Sequence, residues 1–234
     1  MKGKFLRGLF AALGLVIIFN VVYFAALRPW HVRWGATGSE LSATLPGDEL
    51  FLGTQAPVTH AITINAPPQD VWPWIRQIGQ DRSGFYSYTP LENLVGCQMP
   101  RVHQVDPSWR ERAIGETVWF ATPKHYRGQA KMIAAVVQPE RAFAMVTPRD
   151  WERLHSGGRA QETLWAFTLK PIGVGQTRLI ARLRGAEPRN VSQRLISDLF
   201  WEPAHFVMER KMLITIKKLA EHQASAKSGQ NPQT

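Results

Sequence analysis

NVSQRLISDLFWEPAHFVMERKMLITIKKLAEH, residues 190–222, is the stretch whose reading decides the fold. Leu195, Ile196, Leu199, Phe200, Trp201, Phe206, Val207, Met208, Met212, Leu213, Ile214 and Ile216 make it apolar over most of its circumference. A helix apolar nearly all round belongs inside a domain, with the rest of the chain wrapped about it. Asn190 or Ser192 can cap its start, and Pro203 is predicted to kink it or divide it in two. Glu202, His205 and Glu209 interrupt the apolar surface at spacings of three and four, so they share one face. The polar residues that follow, 223–234, read as a disordered tail.

Working outward from that helix, the preceding residues are a series of short strand candidates. They are VTHAITI (58–64), RVHQV (101–105), ETVWF (116–120), AKMIAAVV (130–137), AFAMVT (142–147), ETLWAFTL (162–169) and QTRLIARL (176–183). Turn-forming pieces such as Gln138-Pro139-Glu140-Arg141 separate them, and the short spacing predicts antiparallel hairpins. NAPPQDVWPWIRQIG (65–79) reads as a helix with prolines at its start and Val71, Trp72, Ile75 and Ile78 at helical spacing. Strand, one or two short helices, a run of strands and a long last helix make an α+β domain. Its sheet can curl around the last helix and leave a cavity between them.

The N-terminus differs in kind. Gly8 to Leu27 forms a run of twenty residues with one strongly polar side chain, Asn20. At about 1.5 Å per residue this spans a hydrocarbon core of roughly 30 Å. Tyr23, Trp30 and Trp34 stand at its C-terminal edge, where amphipathic rings settle at headgroup level. Residues 1–28 are therefore predicted to be an uncleaved single-pass anchor, in preference to a signal peptide, for which the run is long and the cleavage site poor. The balance of basic flanks favours the body outside the cytoplasm. Residues 29–57, rich in Gly, Pro, Ser and Thr, read as a connector, and the domain is expected over 58–222.

Bulk composition narrows the function. With 44% hydrophobic and 20% charged residues, the chain is not wholly disordered. Half of the net charge of +10 lies in residues 1–33, flanking the apolar run, which points to anionic lipid headgroups over nucleic acid. Cys97 is the only cysteine, so neither an intramolecular disulfide nor a multi-cysteine zinc site can form.

WGAT (34–37), LPGDE (45–49), ITINAPPQDVWPWIRQIGQDRSGFYSYTPLENLVGC (62–97) and EPAHFVMERKML (202–213) together resemble a bacterial branch of the SRPBCC superfamily. This is the helix-grip fold of START lipid-transfer domains, birch-pollen-type allergens and polyketide cyclase/dehydrase-like proteins. The resemblance implies an antiparallel sheet of about seven strands around a long C-terminal helix, with a deep cavity for apolar ligands. The glycine-rich loop of pollen-type members has no counterpart here, so ligands tied to that loop do not carry over.

On this reading Trp74, Phe85, Tyr86, Tyr88, Trp119, Trp165, Trp201, His205, Met208 and Met212 are expected to line or cover the cavity. GFYSYTPLENLVG (84–96) becomes its mouth, with Leu91 and Leu94 buried and Glu92 on the helix surface. For the row on the last helix three readings stay open: a buried pair of His205 with Glu209 or Glu202, a contact to a ligand's polar head, and acid–base chemistry. No complete catalytic set is present. Glu92, His205 and Glu209 are the candidates, and with Tyr86 they would serve a cyclase- or dehydrase-like enzyme. Glu-x-x-His occurs once, with Pro203 inside it, so no metal or other cofactor is expected. His60, His103, His125 and His155 read as ordinary strand or surface residues, and Asp81-Arg82 as a salt bridge fixing its loop. The leading expectation is a membrane-anchored binding domain for a hydrophobic small molecule or lipid. A membrane-tethered protein-docking domain is a further alternative.

Overall fold

The computed structural model describes residues 2–229. The first helix, α1 (Lys2–Val22), passes through a wide π turn (Tyr23–Leu27) into α2 (Arg28–His31). Within it, Leu13–His31 is long and apolar enough to cross a membrane, with a mean hydropathy of 1.7. The π turn falls immediately before Pro29. A proline cannot donate to the carbonyl four residues back, and its ring collides with it; widening the turn accommodates both. Here Arg28 N–H reaches the Tyr23 carbonyl instead.

Residues 29–57, the expected connector, are packed onto the sheet. A capping box between Thr37 and Glu40 starts α3 (Gly38–Ser42). The carbonyls of Val32 and Trp34 accept hydrogen bonds from Thr59 and Ala61 at 2.9 and 3.1 Å, covering the edge of the first strand. Leu45 packs on Ala61 and Ile180. The buried Arg182 guanidinium ties the segment down, donating to Asp48 and to the carbonyls of Glu40 and Ala43 at 2.6 and 2.8 Å.

The strands are β1 (Val58–Ile64), β2 (Thr117–Trp119), β3 (Lys131–Gln138), β4 (Ala142–Val146), β5 (Thr163–Gly173) and β6 (Gln176–Gly185). They form one antiparallel sheet in the order β1-β6-β5-β4-β3-β2. Between β1 and β2 come α4 (Pro68–Arg76) and α5 (Thr89–Leu94), and between β4 and β5 comes α6 (Pro148–His155). Among the described residues the sheet therefore has six strands, where about seven were expected. RVHQV (101–105) runs as irregular chain between Pro100 and Pro107, and Gln77, following α4, meets its backbone by donating to the Gln104 carbonyl at 3.2 Å.

The terminal helix is α7 (Val191–Ile196), a π turn (Ser197–Trp201) and α8 (Glu202–Gly229). Asn190 caps it through the Gln193 amide at 2.9 Å. Pro203 neither ends nor severs the helix: a π turn again precedes the proline, and Glu202 N–H bonds to the Ser197 carbonyl. Met212, Leu213, Ile216 and Ala220 of α8 are buried against Ile64, Phe167, Leu179 and Ala181 of the sheet and Val71 and Ile75 of α4. The arrangement is a helix-grip fold: a curved antiparallel sheet holding a long C-terminal helix. Much of the expected tail is helical, because Ala224 packs on the core and Lys227 pairs with the buried Asp70 carboxylate. Residues 230–234 lie outside the described residues.

Candidate functional site

The inner face of the sheet does not close completely on α8. Between them lies an open-mouthed cavity of about 450 Å³. The sheet contributes Met132, Thr163, Trp165 and Leu183, and the terminal helix contributes Trp201, Ala204, His205, Met208, Glu209 and Met212. The segment before β2 supplies Phe85, Glu92, Cys97 and Met99. Phe85 stacks 5.9 Å from Trp165 and sits 4.5 Å from Phe120, so one wall is a cluster of rings. A volume of this order accommodates a small apolar molecule with one polar group.

Six of the ten expected cavity side chains meet here: Phe85, Trp165, Trp201, His205, Met208 and Met212. The other four lie elsewhere. Trp74 is buried in the core of α4, edge-on to Tyr86 at 6.0 Å. Tyr86 is buried too, its hydroxyl accepting from Gln77 and Ser83 at 2.7 Å each. Gly84 and Tyr86 both have positive φ, and the chain turns between them so that Phe85 faces the cavity and Tyr86 faces away. Tyr88 is on a separate shallow cleft with Arg101 and Lys211. Trp119 lies on the short edge strand β2, with the Lys131 ammonium 5.2 Å over its ring.

The polar face of the terminal helix divides three ways. Glu202 turns to the N-terminal helix, where Arg28 holds it through Nε and one terminal nitrogen at 2.8 Å each. His205 lines the cavity, its Nε2 3.4 Å from Glu209 Oε1. Glu209 lies at the inner end, fully buried, where it accepts from Trp165 Nε1 at 2.5 Å and from His60 Nδ1. His60 Nε2 faces the His31 carbonyl at 2.7 Å. Both ring nitrogens of His60 thus face oxygen atoms, one of them a Glu209 carboxylate oxygen. Burial alone would raise the Glu209 carboxyl, but the positive charge of His205 and His60 holds it well below the usual carboxylate range.

His60 is the participant that sequence reasoning missed. It sits at 0% exposure on β1, on the same face as Ile62 and Ile64. The period of two along VTHAITI, carried back from those isoleucines, points His60 into the core. Donor atoms of His60, His205 and Glu209 lie within 4.8 Å of one another, the spacing of a three-ligand metal site. The direct hydrogen bond between His60 and Glu209 fills that space, so the arrangement as it stands is a hydrogen-bonded pair.

Glu92 departs most from expectation. It is turned inward from α5, one carboxylate oxygen is buried without a hydrogen-bond partner, and desolvation lifts its pKa to about 7. Leu91 and Leu94, expected to be buried, are 53% and 82% exposed. Burial, and secondarily the Glu92 charge, pushes the neighbouring Cys97 thiol up, the opposite of an activated nucleophile. The Asp81-Arg82 pair also resolves differently. Asp81 binds Arg112 at 3.0 Å, and Arg82 binds Glu116 at 3.0 Å, which together fix the loop after α4.

No protein-family model matches the chain, and no curated protein does. Among solved structures it is similar to the KanY protein at 14% identity and a TM-score of 0.45, over 72% of this chain and 99% of that one. It is similar to the Polyketide_cyc-like protein Cgl2372 of Corynebacterium glutamicum at 17% identity and a TM-score of 0.31, covering 73% and 88% respectively. The Aha1 dimer of Colwellia psychrerythraea is matched at 13% identity and a TM-score of 0.37, covering 71% and 97%. Likeness at this level carries no argument about activity or ligand.

Proposed function

We propose that this protein is a membrane-anchored binding domain that holds a hydrophobic small molecule or lipid between its sheet and terminal helix. The observation that carries this reading is the cavity itself: ring and methionine walls, with Ser87 and Thr163 the only hydroxyls and the ionisable groups Glu92, Cys97, His205 and Glu209 among them. An apolar body would fill the walls, and a hydroxyl or carbonyl would meet His205 or the Glu92 carboxyl. Residues 8–27 would hold the body at the bilayer from which such a ligand comes, on the extracytoplasmic side and as a single-pass protein of a bacterial inner membrane. The test is native mass spectrometry of the full chain released from gentle detergent, with organic extraction to identify what is bound. The expected result is a stoichiometric apolar ligand, retained by the native chain and lost from Ala204→Trp, in which the indole occupies the cavity. A cavity filled only by solvent, with no ligand recovered from several membrane sources, would remove the proposal.

A second reading, a cyclase- or dehydrase-like enzyme, is favoured by one observation. Glu92, poised near neutrality, faces the same cavity as His205, a disposition suited to general acid–base work on a carbonyl substrate. Tyr86, the expected hydrogen-bond donor for that chemistry, faces elsewhere. The extracted ligand separates the readings: incubation with purified protein returns it unchanged if the domain is a carrier, and converted if it is an enzyme that Glu92→Gln silences.

A further inference from the structure

The terminal helix begins with a segment that the body leaves uncovered. Val191, Leu195, Ile196, Leu199, Phe200 and Trp201 are all exposed, Val191 at 74% and Trp201 at 62%. Exposed apolar side chains concentrated in so short a segment mark a contact surface.

The neighbour that identifies the occupant is the N-terminal helix. Tyr23 donates its hydroxyl to the Asp198 carbonyl, Arg28 grips Asp198 at 3.3 Å and Glu202 at 2.8 Å, and Trp30 packs 5.2 Å from Phe206. These contacts advance along both helices in the same direction, so the two run parallel. Upstream of Tyr23 lies the apolar run from Leu13, and upstream of Asp198 lies α7. Wherever the first helix enters a bilayer near Tyr23, α7 enters beside it. From Ser197 back to Val191 the helix extends about 10 Å, the depth of the headgroup and upper acyl layer. Arg189 and Arg194 are exposed there and long enough to reach lipid phosphates while their stems stay among the apolar side chains.

We infer that α7 and its π turn form a second, non-spanning membrane contact, seated in the interfacial layer of the lipid bilayer beside the anchor. This rests on the anchoring proposed above. Trp201 belongs both to this surface and to the cavity wall, so the cavity mouth opens at the membrane face, and a ligand passes between bilayer and cavity without crossing water. On α5, which also borders the cavity, Leu91 and Leu94, with Val95 just after its end, are exposed in the manner of a rim that meets lipid.

The test uses the full chain in a Cys97→Ala background, with one cysteine at a time carrying an environment-sensitive fluorophore. The protein is reconstituted in phosphatidylcholine–phosphatidylglycerol vesicles with or without acyl-chain nitroxide lipid. Leu195→Cys and Phe200→Cys, two independent exposed positions, report the new contact. Ile17→Cys reports the anchor, and Val174→Cys, at the tip of the β5–β6 hairpin, reports bulk water. The expected result is blue-shifted emission at L195C and F200C, with nitroxide quenching several-fold that at V174C. Quenching at I17C with L195C and F200C matching V174C would overturn this contact while sparing the anchor. Absence of quenching at all three would overturn both. Blue shift at L195C and F200C without nitroxide quenching would mean that protein covers the surface, which also overturns the inference.

Discussion

Burial lifts the Glu92 carboxyl to about 7, while charge from His205 and His60 draws the buried Glu209 carboxyl down. The two residues therefore give opposite dependences on pH. Glu92 binds its proton more tightly in the folded chain than in the unfolded one, so its contribution to stability declines as pH rises from about 4.5 to about 7. Glu92→Gln removes that decline, and at pH 8 it is expected to be about 1–2 kcal/mol more stable than the native chain, allowing for partial solvent access. Urea unfolding of both proteins across pH 4–9 checks this, and parallel curves would refute it. Glu209 works the other way. Its stabilisation is complete above the ordinary carboxylate range and is lost as pH falls below it. Glu209→Leu leaves His60 Nδ1 and the Trp165 indole N–H without their buried partner and is expected to cost about 3–5 kcal/mol. Pairing it with His60→Leu should restore most of that loss, because an apolar pair of similar volume avoids desolvating charge. Additive losses in the double-mutant cycle would show that the two residues are not coupled.

Local geometry explains motifs that carry no chemistry. Gly35, in WGAT, has φ +72°, and a Cβ there would stand 2.1 Å from the Ala61 carbonyl oxygen of β1. The glycine lets the chain lie flat along the sheet edge, where Val32 and Trp34 accept the β1 amides. Gly35→Ala is expected to destabilise by about 1–3 kcal/mol from backbone strain, before counting the displaced edge hydrogen bonds. A shift in the thermal midpoint of several degrees would register it, whereas an unchanged midpoint would mean that the edge segment is dispensable. The asymmetry of α5 has the reverse consequence. Leu94 is 82% exposed, so Leu94→Gln should change stability in detergent by no more than about 0.5 kcal/mol, as for any substitution away from packed groups. A short helix carrying Leu91 and Leu94 was legible within GFYSYTPLENLVG, but its rotation was not. Periodicity assigns apolar side chains to the inside, and that assumption fails where lipid or a ligand cavity replaces water on one side.

At the scale of the molecule, the N-terminal helix is joined by Tyr23, Arg28 and Trp30 to the start of the helix that the sheet grips, which runs parallel to it. The proposed anchor is thus not a tether on a loose linker. Arg28 bridges it to Asp198 and Glu202, the latter one helical turn from His205 and two from Glu209. Arg28→Ala leaves two acids on the terminal helix without their cation. It is expected to loosen the body from the N-terminal helix, seen as faster amide exchange over 191–203 with the exchange of β4 and β5 unchanged. Uniform exchange changes throughout the sheet would instead show that the ion pairs sustain the whole fold.

The sequence by itself determined the apolar first helix, five of the β1–β6 strands to within a residue or two and the start of the remaining one, β5, and the grip on the last helix. Each of these rests on local patterning: unbroken apolarity, alternation, or turn residues at short spacing. The family resemblance offered ten residues for a single cavity: Phe85, Trp165, Trp201, His205, Met208 and Met212 meet there, while Trp74, Tyr86, Tyr88 and Trp119 lie elsewhere. Only the tertiary structure decided that Glu209 takes His60 as its partner, 149 residues away in the chain, or that Glu202 turns away to Arg28. It also decided that RVHQV remains outside the sheet, and that Glu92 faces inward while Leu91 and Leu94 face outward. Pairings across such separations depend on which strand lies beside which helix, and burial depends on what replaces the water. Neither quantity is written in the local order of residues.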